Sequence, residues 1–332
     1  MVHVCSVCEL SSGMLLAVWY GGSWVLTRDV AVYCTTRLPG QTGWSAPRKI
    51  VDSASASREL RRPVQKVGNP VIWSDSEDRL YLLYVSAIGG WSTSSLNLKT
   101  SEDGGQSWSP SVRLTLSPFF NFSELVRNKP VPLQGGGFMV PIHHESIGTF
   151  PEILWLLPDS SSPAGFVAHK SRINHSRGFL QPSVVVEDSH SAIAFLRSKL
   201  EPRIGLSTSK DSGLTWQIPE YVDLPNPNSA ICAVPIPGRR LLMVFNDCEF
   251  SLKGRENLRI AVSDLRGRNW TRIATLEDEA HNTFAYPYVI QTRDGLFHIV
   301  YSYGRNNIKH LTLNDAWIEE RIRCAGRFSS AE

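Results

Sequence analysis

The chain has 332 residues, 42% hydrophobic and 20% charged, with a formal net charge of +3. That composition supports one large globular domain or two ordinary ones with ample core. The small, scattered positive charge argues against nucleic acid as a partner, and no apolar run reaches the roughly 20 residues of a membrane-spanning helix.

The opening "MVHVCSVCEL" alternates at once and lacks the basic-then-apolar plan of a signal peptide. A cytoplasmic location is therefore expected, or a secreted or periplasmic one if a leader precedes the sequence. Cys5 and Cys8 have C-x-x-C spacing, but no second pair or histidine cluster answers them, so neither metal nor cofactor is expected.

Short alternating strands rich in β-branched and aromatic residues follow throughout, without long amphipathic helical patterns. Recurrent turns divide them. "TRLPGQTGW" ends at Trp44, "SEDGGQSW" spans Ser101 to Trp108, and "LPDSSSPAGF" ends at Phe166. "SKDSGLTW" spans Ser209 to Trp216, and "SDLRGRNW" spans Ser263 to Trp270. The fullest form is Ser-x-Asp-x-Gly-x-x-Trp. Ser and Asp side chains bond backbone amides, Gly supplies a positive φ, and Trp folds back over the apolar side. The motif reads as a hairpin clasp. Its copies recur about every 55 residues, which gives about six units.

The fourth unit shows the plan of each. "PSVVVE", "SAIAFLRS" and "RIGLSTS" form three strands, the clasp follows, and a fourth strand lies near "IPEYVDL". Six such units predict an all-β, six-bladed β-propeller of four-stranded antiparallel blades in a single domain, with two packed sandwiches as the alternative. The blades run approximately over 1–60, 61–120, 121–175, 176–225, 226–280 and 281–332. The last carries no clasp, and its "IKHLTL" and "AWIEERIR" are expected to complete the ring beside the first strand.

Within a blade, the start of strand one, the end of strand two and the start of strand three share one end, opposite the clasp. Polar residues gather at those places. Innermost strands open with His3, Asn69, Lys129, Gln181, Asn228 and Tyr286. Second strands end near Tyr20, His143–Glu145, Arg197, Asn246–Asp247 and Tyr303, and third strands begin near Asp29 and Arg255. The expected result is an axial pocket whose arginines suit a carboxylate or phosphate.

These segments resemble the sialidase (neuraminidase) superfamily of Asp-box, or BNR-repeat, propellers. "QPSVVVEDSHSAIAFLRS" resembles the segment bearing one arginine of the substrate-carboxylate triad, here Arg197. "GRENLRIAVSDLRGRNW" resembles the segment with the last triad arginine, Arg255. "FAYPYVIQTRDGLFHIVYSY" resembles the segment with the nucleophilic tyrosine, Tyr286. More loosely, "LLAVWYGGSWVLTRDVAVYCTTR" resembles the region of the acid/base aspartate, Asp29. The resemblance implies a glycan substrate carrying a carboxylate, bound by Arg197 and Arg255; the strand-end positions add Asn69, Lys129, His143, Glu145 and Asn228 as candidate substrate-binding residues.

The departures matter as much. His3 stands where the first arginine is usual, Gln181 replaces the glutamate that activates the tyrosine, and Pro287 follows the tyrosine in place of serine. "RNKP", "QPS", "PNPNS" and "AYP" fit the "predicted neuraminidase" branch. Three functions are open: a retaining hydrolase of an acidic sugar, a lyase of uronic-acid-containing glycans using Tyr286, His3 or His143, and a non-catalytic carbohydrate-binding propeller. Glu187 and Glu201 are candidates to replace the missing glutamate. Oligomeric state is not legible in the sequence.

Overall fold

A computed structural model describes residues 1–24, 27–117, 122–146, 148–249 and 254–329. The chain forms two compact units, Met1–Arg172 and Ile173–Glu332. Each contains three antiparallel sheets in chain order, so the fold is the six-bladed β-propeller that the repeats predict.

In the first unit, blade one is β1 (Val2–Glu9), β2 (Leu15–Gly21), β3 (Ala31–Arg37) and β4 (Arg48–Asp52), followed by helix α1 (Ser53–Leu60). Blade two is β5 (Lys66–Ser74), β6 (Leu80–Ala87), β7 (Ser94–Ser101) and β8 (Val112–Arg113). Blade three has its innermost strand split into β9 (Glu124–Val126) and β10 (Val131–Pro132), then β11 (Phe138–His144), β12 (Phe150–Pro158) and β13 (Phe166–Arg172).

In the second unit, blade four is β14 (Phe179–Val186), β15 (Ala192–Ser198), β16 (Arg203–Ser209) and β17 (Glu220–Pro225). Blade five is β18 (Cys232–Ile236), β19 (Arg240–Phe245), β20 (Asn257–Asp264) and β21 (Thr271–Asp278). Blade six has three strands, β22 (Phe284–Gln291), β23 (Phe297–Tyr303) and β24 (Asn307–Leu313), before helix α2 (Asp315–Ser329).

That last element is a helix, where "AWIEERIR" is expected from the sequence to complete the ring beside the first strand. Asn314 Oδ1 accepts from Trp317 N at 2.8 Å and caps the helix. Ile318, Ile322 and Ala325 then recur with helical spacing and join the core formed with blades five and six.

The clasps are fasteners between neighbouring blades. In the fourth blade, Gly213 N donates to Ser209 Oγ and Thr215 N to Asp211 Oδ1, each at 2.8 Å, while Trp216 Nε1 reaches Gly213 O at 2.9 Å. In the second, Arg48 of blade one donates to Gly105 O at 2.9 Å. In the fifth, Gly267 has φ +66°, and a Cβ there would lie 2.5 Å from Phe195 Cζ of blade four. Gly267→Ala is therefore expected to cost about 2–4 kcal/mol by combining backbone strain with overpacking. Gly295 has φ +81° with nothing within 4 Å, so Gly295→Ala should cost only the backbone share. Thermal unfolding of the two variants checks the difference.

Innermost strands are also tied to their neighbours. Ser6 Oγ accepts from Ile72 N at 3.1 Å, Ser183 Oγ from Ala233 N at 2.9 Å, and Cys232 Sγ from Val289 N at 3.3 Å.

Candidate functional site

Five of the six blades share one irregularity, in or just before the innermost strand. Val4, Asn69, Gln181, Asn228 and Tyr286 all have φ between +46° and +57°, a region that residues with a Cβ seldom occupy. Register slips accompany four of them, between His3 and Cys5, Gly68 and Val71, Leu180 and Ser183, and Ala285 and Tyr288. These are β-bulges, which re-aim a side chain at the cost of ladder bonds. They also explain the x-Pro motifs. Pro70, Pro182 and Pro287 lack an N–H where the interrupted ladder leaves room for a residue without one. Such left-handed residues cluster at functional sites because folding alone does not favour them.

In the second unit these sockets build a connected group. Arg197, next to last in β15, pairs with Leu180 and so lies beside Gln181. Its Nε donates to Asn228 Oδ1 at 2.8 Å and its NH1 to Gln181 Oε1 at 2.9 Å. Arg255 NH2 donates to Asn228 O at 3.1 Å, and its guanidinium carbon stands 5.5 Å from the centre of the Tyr286 ring. Asn226 holds the Asn228 turn through Ser229 N and O at 3.2 and 3.0 Å, which accounts for "PNPNS". Arg255 O accepts from Phe284 N at 2.8 Å, anchoring the arginine to the strand that carries Tyr286.

The structure thus brings together Gln181, Arg197, Asn228, Arg255 and Tyr286. No carboxylate is among them. Arg197 is 9% exposed, and two neutral amide oxygens, those of Asn228 and Gln181, orient its guanidinium. The group is suited to an anionic ligand. Glu187 lies in the turn at the far end of β14, about 20 Å from Gln181 along the strand. It is not at this end of the blade. Glu201 is exposed in the turn after β15, with its amide on Ser198 Oγ at 3.0 Å.

In the first unit, His3 sits one residue before the socket, which Val4 fills; its ring meets Tyr20 edge-on at 5.9 Å. Asn69 fills the socket of blade two and is nearly buried. Lys129 lies in the break between β9 and β10, half-buried. His143 is buried, with Nε2 at 3.3 Å from Glu145 Oε1. Asp29 is exposed in the turn before β3 and closes its own loop, accepting from Ser23 N at 2.6 Å. Bonds from the Thr27 hydroxyl and then from Ser23 hold its carboxyl below the usual carboxylate range, hence ionised at neutral pH.

Blade three adds groups that sequence reasoning missed. Lys170 Nζ bridges Glu124 at 3.0 Å and Glu152 at 3.2 Å. Burial raises the Glu124 carboxyl above its ordinary range and lowers His144. Ligand atoms of Glu124, His144 and Glu152 lie within 4.8 Å of one another, close enough to hold a metal ion, but the Lys170 ammonium already supplies a positive charge to both carboxylates. Arg127 is 1% exposed in the break between β9 and β10, near enough to Cys5 to temper the rise that burial imposes on that thiol, to about 12. No motif marks Glu124, Glu152 or Lys170, and only their place near strand ends could have found them; Arg127 opens "RNKP" and His144 lies within His143–Glu145.

A cleft of about 850 Å³ lies at the clasp end of blades two and three, lined by Asp75, Arg79, Tyr81, Gly137, Phe138 and Phe166 among others. None of the candidate residues lines it.

A family profile for the BNR repeat-like domain matches residues 13–299. The chain belongs to that family. Solved structures share its fold at low identity. The Hadza microbial sialidase Hz136 superposes with a TM-score of 0.77 at 16% identity, covering 95% of this chain and 66% of that one. The chain thus spans just under two thirds of that sialidase. The intramolecular trans-sialidase of Ruminococcus gnavus gives 0.73 at 13% identity, covering 96% and 95%. A protein of unknown function from Dyadobacter fermentans gives 0.70 at 14% identity, covering 91% and 90%. No curated protein matches the chain in sequence. The BNR member described here is therefore a sialidase-like propeller. Among its described residues no helix is long and apolar enough to cross a membrane.

Proposed function

We propose that this BNR protein is a glycoside hydrolase for an acidic sugar of the sialic acid kind. The observation that carries the reading is the Arg197–Asn228–Arg255–Tyr286 group, two guanidiniums and a phenol linked through one asparagine. Arg197 and Arg255 take the sugar carboxylate. Tyr286 Oη attacks the anomeric carbon, the bond to the leaving group breaks, and the departing oxygen takes a proton. Water then attacks the glycosyl–tyrosine bond, releasing the sugar and restoring the phenol. A neutral phenol suits an anionic sugar, which a carboxylate nucleophile would repel.

The phenol needs help, since an unperturbed tyrosine pKa near 10 leaves little phenolate at neutral pH. The Arg255 guanidinium carbon, 5.5 Å from the centre of its ring, places a positive charge beside the phenol. The acid/base role goes to Asp29 on the resemblance of its segment alone; its carboxyl is ionised at neutral pH and must gain a proton before it can protonate a leaving group.

A second reading, a non-catalytic binder of acidic glycans, is favoured by one feature. Gln181 replaces a base near Tyr286 and is engaged with Arg197. Digestion of a glycan library followed by mass spectrometry tests both readings. Fragments that gain one water across the cleaved bond are expected. Fragments without it indicate a lyase. Saturable binding without cleavage would establish the binder and overturn hydrolysis.

A further inference from the structure

Three lysines of the first unit are largely withdrawn from solvent, and two have obvious counter-charges. Lys99, 2% exposed, donates to Glu59 at 2.6 Å and Ser109 O at 2.7 Å. Lys170 bridges Glu124 and Glu152. Lys66 differs. It is 3% exposed, and among the described residues no oxygen accepts from its ammonium. Its Nζ instead stands 4.1 Å from the centre of the Trp91 ring.

The arrangement is built rather than incidental. Lys66 and Gly68 lie two apart on β5, hence on one face of the strand. A Cβ on Gly68 would come within 2.7 Å of the Trp91 ring, so the glycine makes room for the indole beside Lys66. Lys66 pairs with Ala87 at the end of β6, which puts it at the same end of the blade as the Asn69 socket. A cation–π contact offsets only part of the cost of a buried charge. Folding alone therefore favours an apolar residue here.

We propose that Lys66, capped by Trp91, forms a subsite for the oxyanion of an acidic sugar, a carboxylate or a sulfate ester. The kind of molecule bearing the oxyanion rests on the function proposed above; the anion site does not. Burial also holds the ammonium below lysine's usual range, and a bound anion would relieve that effect.

Calorimetric titration of the full chain with sodium glucuronate and with sodium sulfate, at fixed ionic strength, tests the site. Lys66→Met is expected to weaken at least one of these titrations about tenfold or more, and the effect should persist in an Arg197→Met background. The probe that loses affinity distinguishes carboxylate from sulfate. Ligand-free Lys66→Met should also melt higher than wild type, because a similar apolar volume replaces a charge that Trp91 compensates only in part. Unchanged affinities for both probes, or a lower melting temperature, would overturn the proposal. In wild type, the Trp91 indole N–H resonance should shift saturably with the anion that binds; no shift with either sinks the site without recourse to a variant. Loss of binding in Lys66→Met but not in Arg197→Met would count against the arginine clamp while upholding Lys66.

Discussion

Tyr286→Phe is expected to lower kcat by at least about 10³-fold while leaving the Kd for an acidic sugar within about threefold. Only one oxygen is removed. The ring that packs against the Arg255 guanidinium remains, as do the left-handed backbone and the Phe284–Arg255 hydrogen bond that hold the strand in place. The carboxylate clamp is therefore unaltered, and binding survives. What disappears is the atom proposed to bond covalently to the sugar, leaving direct attack by water as the residual route. Single-turnover rates on an aryl glycoside, paired with calorimetric binding, measure both quantities. If kcat is preserved, the phenol is not the nucleophile.

Arg197→Lys should weaken binding of the acidic sugar about 10²-fold or more and lower the melting temperature as well. The guanidinium is planar and already serves Asn228 Oδ1 and Gln181 Oε1 from two different nitrogens. A lysine keeps the charge but has one nitrogen on a flexible stem, so it cannot reproduce both bonds and meet a carboxylate in the same geometry. An amide oxygen left without its donor in a site that is 9% exposed at Arg197 costs about 1–3 kcal/mol. Equilibrium binding and thermal unfolding of this one variant read the two losses separately. Retention of wild-type affinity would show that Arg197 only braces the Asn228 turn.

Much of the architecture was legible because the clasp is a local device. Ser209, Asp211, Gly213 and Trp216 satisfy one another within eight residues, so their spelling survives in the sequence. The terminal helix was missed because its segment was expected to complete the ring, although Asn314 and the spacing of Ile318, Ile322 and Ala325 carry the helical signal. The arginines and Tyr286 were legible through the segments around them. The Lys170–Glu124 bridge was not, since its members lie 46 residues apart and each alone reads as an ordinary strand-end charge. Lys66 was hidden for the opposite reason. A lysine at the start of an apolar strand looks like a solvated edge, and only its burial beneath Trp91 separates it from one.

The repeated left-handed positions have an implication for how such proteins diversify. Valine, asparagine, glutamine and tyrosine share a left-handed φ within about 11° of one another in five of the six repeats of this chain. That conformation belongs to the scaffold and tolerates very different side chains. Exchanging a few letters at these stations would alter ligand preference while leaving the supporting framework intact, so relatives with almost superimposable backbones need not share a substrate.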